Sequence, residues 1–238
     1  MIKKALEYLK EQFLSAEKVE IVDIEQGCFT TSNLNRVKER QVDVLHVSTL
    51  ESFVEYLNSN VDKFEDKILV HVEGPKTVSA LSKIRSDGSR EVYIEASADV
   101  PEMNYGKFYS NDKFNIMLQS IFTDENEGSV DRNKLLAISR NVVEESVKEL
   151  SDNGVSQQAT VKQGVRKFDV EVPNPALLAP YRTFTEVNQP ASKFVFRMDG
   201  TNCALFEADG GAWRKEAVDN IKVYLKDNLD PDKFSVIS

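Results

Sequence analysis

The strongest constraint on the fold is a turn signal in the first half of the chain. Asp87 and Gly88 stand between two runs that are rich in apolar and β-branched residues, at 77–84 and 90–98. An Asp-Gly pair supplies the positive φ angles of a type I′ turn, so the two runs are predicted to form a β-hairpin. Strands of about eight residues would reach roughly 26 Å, which is long enough to leave the body of a small domain.

A projecting hairpin arm also predicts how the protein would act. Its two edges carry unpaired backbone N–H and C=O groups, and pairing with a neighbouring copy would satisfy them. We therefore predict that the arm is an oligomerisation surface. The expected contact residues are Val78, Ile84, Asp87, Gly88, Val92 and Ile94.

Apolar periodicity outside the arm indicates helices mixed with short strands. Helical spacing predicts an amphipathic helix over residues 1–17, a second helix capped by Thr49, and a long helix over 131–150. At about 1.5 Å per residue, the long helix would cross a whole sheet. Because hairpins are more evident than βαβ crossovers, we predict an α+β fold with a mixed, mainly antiparallel sheet, a long central helix and a projecting β-hairpin.

The chain is long enough to bury a sizeable core without disulfides or metals. It has 238 residues, which gives a prior between one and two domains. Four prolines punctuate an extended connection near residues 173–190. We predict one compact unit over residues 1–238, with subdomains divided near 173–190.

Charge and hydropathy exclude two classes of partner. The chain carries 30 basic and 39 acidic residues, a net charge of −9. Nucleic acid and anionic membrane surfaces require clustered positive charge, so we predict that the protein does not bind nucleic acid. No apolar run is long enough to span a bilayer, and the first residues lack a signal core. We expect a cytoplasmic protein that does not bind membranes.

The sequence carries no signature of a known catalytic class. It lacks a Walker A loop, a dinucleotide fingerprint, a nucleophile elbow and a zinc-protease motif. Cys28 and Cys203 are too far apart for a short metal-ligand spacing, and His46 and His71 stand in strand-like contexts. The expectation is a non-enzymatic protein without a cofactor or a bound metal.

One acidic string allows an alternative. Glu207 and Asp209 precede Gly210, Gly211 and Trp213, so the two carboxylates could bind a hard cation while the glycines allow close backbone approach. The preferred interpretation is structural: Asp209 accepts backbone N–H groups at the start of the last helix, and the glycines form the turn before it. Two carboxylates alone cannot fill the coordination shell of a cation.

Aromatic and charged residues also mix in a short segment after Pro101. Tyr105, Phe108 and Tyr109 accompany Lys107, a combination typical of proteins that bind single-stranded nucleic acid. The preferred interpretation is a loop that packs on its own core.

Several short strings are distinctive when they are taken together: LHVSTL at 45–50, FNIMLQS at 114–120, VPNP at 172–175, LAPYRTF at 178–184, FRM at 196–198 and ALFEADGGAW at 204–213. They resemble the YfdQ-like family of phage and prophage proteins, a family of unassigned function, over nearly the whole chain. The resemblance implies a mobile element in a bacterial host and brings no catalytic residues.

A long helix beside a projecting hairpin is also similar, at fold level only, to the tailed-phage major-capsid fold.

Three functional hypotheses follow from these observations. The favoured one is a non-enzymatic, phage-encoded homo-oligomer that assembles into a ring or closed shell. The alternative is an accessory binding protein that captures a host protein or a nucleotide signal and so modulates replication or defence. The third is a metal-dependent hydrolase in which Glu207 and Asp209 act with other acids such as Asp23 or Glu25.

Overall fold

The computed structural model describes most of the chain: residues 2–16, 21–24, 27–30, 41–141, 158–163 and 166–238. Five α-helices lie in these residues, together with a short 3₁₀ turn at Glu125–Glu127. The helices are α1 (Ile2–Ala16), α2 (Leu50–Ser59), α3 (Asn111–Ile121), α4 (Arg132–Asn141) and α5 (Trp213–Asn228).

The larger sheet has five strands in the order β13-β4-β5-β6-β3. The inner pairs β4–β5 and β5–β6 are antiparallel, whereas the outer pairs β13–β4 and β3–β6 are parallel. The sheet is therefore mixed, as the sequence predicts. Its strands are β3 (Leu45–Val47), β4 (Ile68–Gly74), β5 (Thr77–Leu81), β6 (Val92–Ser97) and β13 (Phe234–Ile237).

The second sheet is wholly antiparallel and has the order β10-β11-β12-β7. Two separate hairpins, β1–β2 (Ile21–Ile24 and Gly27–Thr30) and β8–β9 (Gln158–Gln163 and Arg166–Glu171), complete the strands. The predicted α+β class with a mainly antiparallel sheet is confirmed. The strands of the second sheet are β7 (Tyr109–Ser110), β10 (Ala176–Leu178), β11 (Ser192–Asp199) and β12 (Asn202–Glu207).

Each sheet forms its own hydrophobic core with two helices. In the first core α2 packs on β6, α5 packs on β4 and β13, and the two helices contact each other. In the second core α3 packs on β12 and against α4. The first core is built from residues such as Leu50, Phe53, Val70, Ile94, Ile221 and Leu225, and the second from residues such as Phe114, Leu118, Leu135, Phe194, Phe196 and Leu205.

The chain passes from the first core to the second after residue 98, and it contributes to the first core again at Phe184, at Val187 and in α5. Strand β10 pairs with β11 in the second sheet, so residues on both sides of Pro180 contribute to different cores. The division into subdomains near 173–190 stays a prediction.

Hydrogen bonds fix this connecting segment, residues 179–190, to both cores. The Thr183 hydroxyl donates to the Pro75 carbonyl at 2.5 Å, and the Tyr181 N–H donates to the Ile121 carbonyl at 2.8 Å. The Glu186 carboxylate accepts the Leu50 N–H at 2.6 Å, at the start of α2. A carboxylate there satisfies a helix N–H and complements the positive end of the helix dipole. The predicted cap at Thr49 is also present, since Thr49 Oγ1 accepts the Ser52 N–H at 3.2 Å.

The predicted hairpin exists, but the prediction of a projecting arm is wrong. Strand β5 lies between β4 and β6, and β6 lies between β5 and β3, so both strands lie inside the sheet. Strand β3 pairs with residues 94–96 of β6, and residues 92 and 93 are not paired with β3. Val78 and Ile94 are fully buried. The other expected contact residues, Ile84, Asp87, Gly88 and Val92, lie at or beside the tip, and Ile84 is exposed. Strands β4 and β3 pair with the outer edges of the hairpin, where the sequence analysis expected pairing with a second copy.

The turn at the tip also differs from the predicted type I′ turn. Gly88 has a φ of +80°, whereas Asp87 is not among the described residues with positive φ, and type I′ needs positive φ at both positions. The Gly88 N–H donates to the Arg85 carbonyl, and the Arg85 N–H donates to the Ser89 carbonyl, both at 2.9 Å. This is the three-residue loop in which a glycine forms a bulge after a type I turn.

The predicted long helix is described only over its first part. Helix α4 begins at Arg132 and ends at Asn141, and the rest of the prediction, 142–150, lies outside the described residues. Within the described part of the chain, no helix is long and apolar enough to cross a membrane.

We expect Gly88→Ala to lower the free energy of unfolding by about 1 kcal/mol, because a Cβ is strained at positive φ. Urea unfolding monitored by circular dichroism measures the change. Gly74→Ala is the matched control, since Gly74 has a φ outside the positive range and open space around its Cβ position. Equal effects of the two substitutions would contradict the assigned turn.

Candidate functional site

A cavity of about 380 Å³ lies where the chain crosses between the two cores. Its walls come from the β4–β5 turn, the segment 100–105, the connecting segment and the start of α5. The side chains that dominate its chemistry are Lys76, Tyr105, Tyr181, Arg182, Trp213 and Arg214.

Arg182 is the buried centre of this site, with 7% of its surface exposed. Its Nη1 donates to Glu207 Oε1 at 3.0 Å, and its Nη2 donates to the Ser192 hydroxyl. Its guanidinium carbon lies 4.1 Å from the centroid of the Trp213 ring, a cation–π distance. The guanidinium is thereby compensated on one side by a carboxylate and on another by an aromatic face.

The turn before α5 places Trp213 against this guanidinium. Gly210 and Gly211 have φ of +63° and +82°, and Asp209 Oδ1 accepts the Gly211 N–H at 3.0 Å. A Cβ on Gly211 would lie 2.1 Å from Arg214 Nη1. The positive φ angles favour glycine at both positions, whereas the end of the flexible Arg214 side chain could move away from a Cβ.

The two carboxylates considered in the sequence analysis, Glu207 and Asp209, lie near the Arg182 guanidinium. Glu207 forms an ion pair with Arg182, and Asp209 accepts a backbone N–H as the structural interpretation expected. Burial raises the pKa of Asp209, but hydrogen bonding from the Gly211 N–H, the Ser192 side chain and the Trp213 backbone, together with the charge of Arg182, outweighs burial and holds the pKa below its ordinary value. Among the described residues, no cluster of three or more metal-ligating side chains is present. The predicted participation of Asp23 and Glu25 concerns side chains that lie outside the described part of the chain.

Three buried polar atoms at this site lack a hydrogen-bond partner. They are Arg182 Nε, Trp213 Nε1 and Asp209 Oδ2, and they are the only such buried side-chain atoms in the part of the chain that the structure describes. Buried donors and acceptors are normally paired, because an unpaired one costs about 1–3 kcal/mol. Arg182 and Trp213 both line the cavity, so two of the three unsatisfied atoms belong to residues on its wall.

Tyr105 also lines the cavity. Its ring lies 5.3 Å from that of Phe194, so the predicted packing of this aromatic segment on its own core holds for Tyr105. Burial raises the pKa of the Tyr105 phenol to about 12. Burial also lowers the pKa of Arg182, although arginine stays protonated in proteins. The phenol is therefore a neutral hydrogen-bonding group at physiological pH.

The cysteine and histidines considered in the sequence lie elsewhere. Cys203 is buried in β12, where burial raises the pKa of its thiol to about 12. His46 is exposed on β3, 3.8 Å from Glu95, and His71 lies on β4. None of these three lines the cavity. The side chain of Cys28 lies outside the described residues.

The chain matches no protein-family profile, no curated protein and no solved structure. The resemblances to the phage family and to the capsid fold accordingly remain expectations, and the functional argument depends on the site.

Sequence reasoning did not identify Arg182 as the centre of the site. Its partners Ser192, Glu207 and Trp213 come from later parts of the chain, and no short spacing connects them. The one available signal was the only tryptophan of the chain, which directly follows a glycine pair and an alanine.

We expect Glu207→Gln to destabilise the protein by about 1–3 kcal/mol, because it leaves a largely buried guanidinium without its countercharge. Asp219→Asn, which breaks the exposed Lys215–Asp219 pair, is the control and should cost less than about 0.5 kcal/mol. Urea unfolding of both variants measures the difference. If Glu207→Gln left the free energy of unfolding unchanged, the ion pair would not be what stabilises the site.

We expect Cys203 to be unreactive in the folded protein. Burial raises the pKa of the thiol from its ordinary value of 9.0 to about 12, so the thiol stays protonated at mildly alkaline pH. The free energy of unfolding keeps its full contribution from this thiol below pH 9.0 and loses it as the pH rises toward 12, because the thiol ionises more readily in the unfolded chain. In the Cys28→Ser variant, a thiol reagent should not label Cys203 while the protein is folded and should label it completely in urea. Rapid labelling of the folded protein would contradict the assignment.

Proposed function

We propose that this protein is a non-enzymatic binding protein whose cavity takes up a small organic anion with a flat ring, and that the ligand class is a mononucleotide. The observation that carries the proposal is that both residues with a buried, unsatisfied N–H donor, Arg182 at Nε and Trp213 at Nε1, line the cavity. A phosphate oxygen would accept hydrogen bonds from both donors.

The charge of the cavity supports an anionic ligand. Lys76, Arg182 and Arg214 line it, against the two acids Glu102 and Glu207. Glu207 already forms an ion pair with Arg182, so the remaining basic groups outnumber the remaining acid. This local excess of positive charge contrasts with the net charge of −9 for the whole chain. An anion would therefore be attracted by the basic side chains at the cavity, although the chain as a whole is negatively charged.

The aromatic side chains support a ligand with a ring. Tyr105, Tyr181 and Trp213 line the cavity, and aromatic faces stack with nucleobases. The volume of about 380 Å³ lies at the lower end of the range for small-molecule sites. A junction between two cores is also a common place for such sites.

The chemistry of the site favours binding over catalysis. The Tyr105 phenol has a pKa of about 12, which makes it a poor general base near neutral pH. The buried thiol of Cys203 and the two histidines do not line the cavity. The side chains on its walls can hold a phosphate and a ring, and we assign them those roles.

This proposal develops the alternative in which an accessory protein captures a nucleotide signal. An origin in a phage or prophage would fit such a role, and it remains a proposal that rests on the resemblance of the sequence. Assembly into a ring or shell through the hairpin arm loses its support, because the strands of the hairpin are inside the sheet.

Trp213 makes the proposal directly testable, since it is the only tryptophan of the chain. We expect AMP or GMP to change its fluorescence saturably and to raise the melting temperature. The matching nucleosides and inorganic phosphate should bind at least about tenfold more weakly, because a nucleoside lacks the phosphate and inorganic phosphate lacks the base.

Two neighbouring substitutions provide the variant and its control. Arg214→Ala should weaken nucleotide binding about tenfold, because Arg214 lines the cavity and lies 5.0 Å from the Trp213 ring. Lys215→Ala should leave binding unchanged, because the Lys215 side chain is 84% exposed. The absence of any response to nucleotides at about millimolar concentration would overturn the proposal, as would binding of aromatic carboxylates in preference to nucleotides.

A further inference from the structure

Helix α1 leaves its apolar residues uncovered between residues 4 and 11, where the structure describes its side chains. Every residue from 4 to 11 is exposed, including Leu6 at 61% and Leu9 at 54%. Exposed apolar residues that follow a single stripe mark an interaction surface, whereas scattered ones are common on any protein. Helix α1 therefore presents a surface that its own chain does not cover at these positions.

The spacing of the stripe identifies the geometry of the partner. Its positions follow one another at intervals of four, three, four and three residues, the repeat that forms the seam between paired helices. Such a seam fits another helix of the same repeat, and a second copy of α1 supplies one. The positions are Ile2, Leu6, Leu9, Phe13 and Ala16.

The charges beside the stripe favour one orientation of that copy. Lys3 and Lys10 occupy the same flanking position of successive repeats, and Ala5 and Gln12 occupy the flanking position on the other side. An antiparallel pair would place Lys3 beside Lys10 of the other copy, where like charges repel. A parallel pair would place Lys10 beside Ala5, without repulsion.

The helix also lacks the features that stabilise an isolated helix. It has 15 residues, which is close to the length at which isolated helices are marginal in water. Its first turn has no acidic residue and its last turn has no basic residue, so side chains do not complement the helix dipole at either end. Pairing would supply the missing stabilisation.

We propose that α1 is a self-association helix, which pairs in parallel with α1 of a second copy through this apolar stripe. The pair has two-fold symmetry and uses the same surface of both chains. The proposal goes beyond ligand binding and does not depend on the cavity. It also replaces the hairpin as the surface through which copies of this protein meet.

Light scattering coupled to size-exclusion chromatography tests the pairing on the full chain. The mass should rise from 26.9 kDa toward twice that value across an about hundredfold increase in concentration. Leu6→Glu places a charge in the stripe and should keep the protein monomeric throughout. Tyr8→Glu is the matched control, because Tyr8 is 63% exposed but lies off the stripe, and it should dimerise like the unaltered protein.

Orientation is tested by a disulfide at one end of the helix. In a Cys28→Ser background, Ile2→Cys should form a disulfide-linked dimer under mild oxidation, because a parallel pair brings the two copies of residue 2 together. An antiparallel pair would separate them by the length of the helix. The near-ultraviolet circular dichroism of Trp213 should be the same in all variants, which verifies that the body of the protein remains folded.

Three results would overturn the proposal. The first is a monomer at every concentration, and the second is equal dimerisation of Leu6→Glu and Tyr8→Glu. The third is binding of monomeric protein to anionic phospholipid vesicles that Leu6→Glu abolishes, because the stripe would then face a lipid surface. Failure of nucleotide binding would leave these measurements unaffected, so the two proposals stand or fall separately.

Discussion

The burial of the Arg182 guanidinium between the two cores is the constraint on which the rest of the structure depends. A buried charge is costly unless it is paired and hydrogen-bonded. The second sheet supplies Glu207 and Ser192, and the start of α5 supplies the face of Trp213. Because α5 continues into the first core, the groups that compensate this charge also fix the position of one core against the other.

The same constraint explains why the candidate site is at this junction. The glycine pair that lets Arg214 approach the backbone also turns the chain into α5. Compensation of Arg182 is incomplete, since its Nε, Trp213 Nε1 and Asp209 Oδ2 remain without hydrogen bonds. The ligand-binding proposal depends on these atoms beside the cavity rather than on the overall fold.

The hairpin illustrates how far sequence reasoning could go. Asp87 and Gly88 correctly predicted a turn between two strands, because turn chemistry is local. The turn type was wrong, since only Gly88 adopts positive φ, and the expected free edges were wrong because β4 and β3 pair with them. Edge pairing depends on strands that are distant in sequence. The hairpin strands therefore lie inside the sheet, and our proposal for self-association depends on the exposed residues of α1 instead.

What the sequence determined by itself was local: the α+β class, the cap of α2 by Thr49, and the turn that Asp209 and the glycines form before α5. These features follow from backbone preferences and periodicity within a few residues. Only the tertiary structure decided that both edges of the hairpin are covered and that Arg182 meets Glu207 and Trp213. The reason is physical, because the burial of a charge and the pairing of a strand edge depend on which distant segments come together.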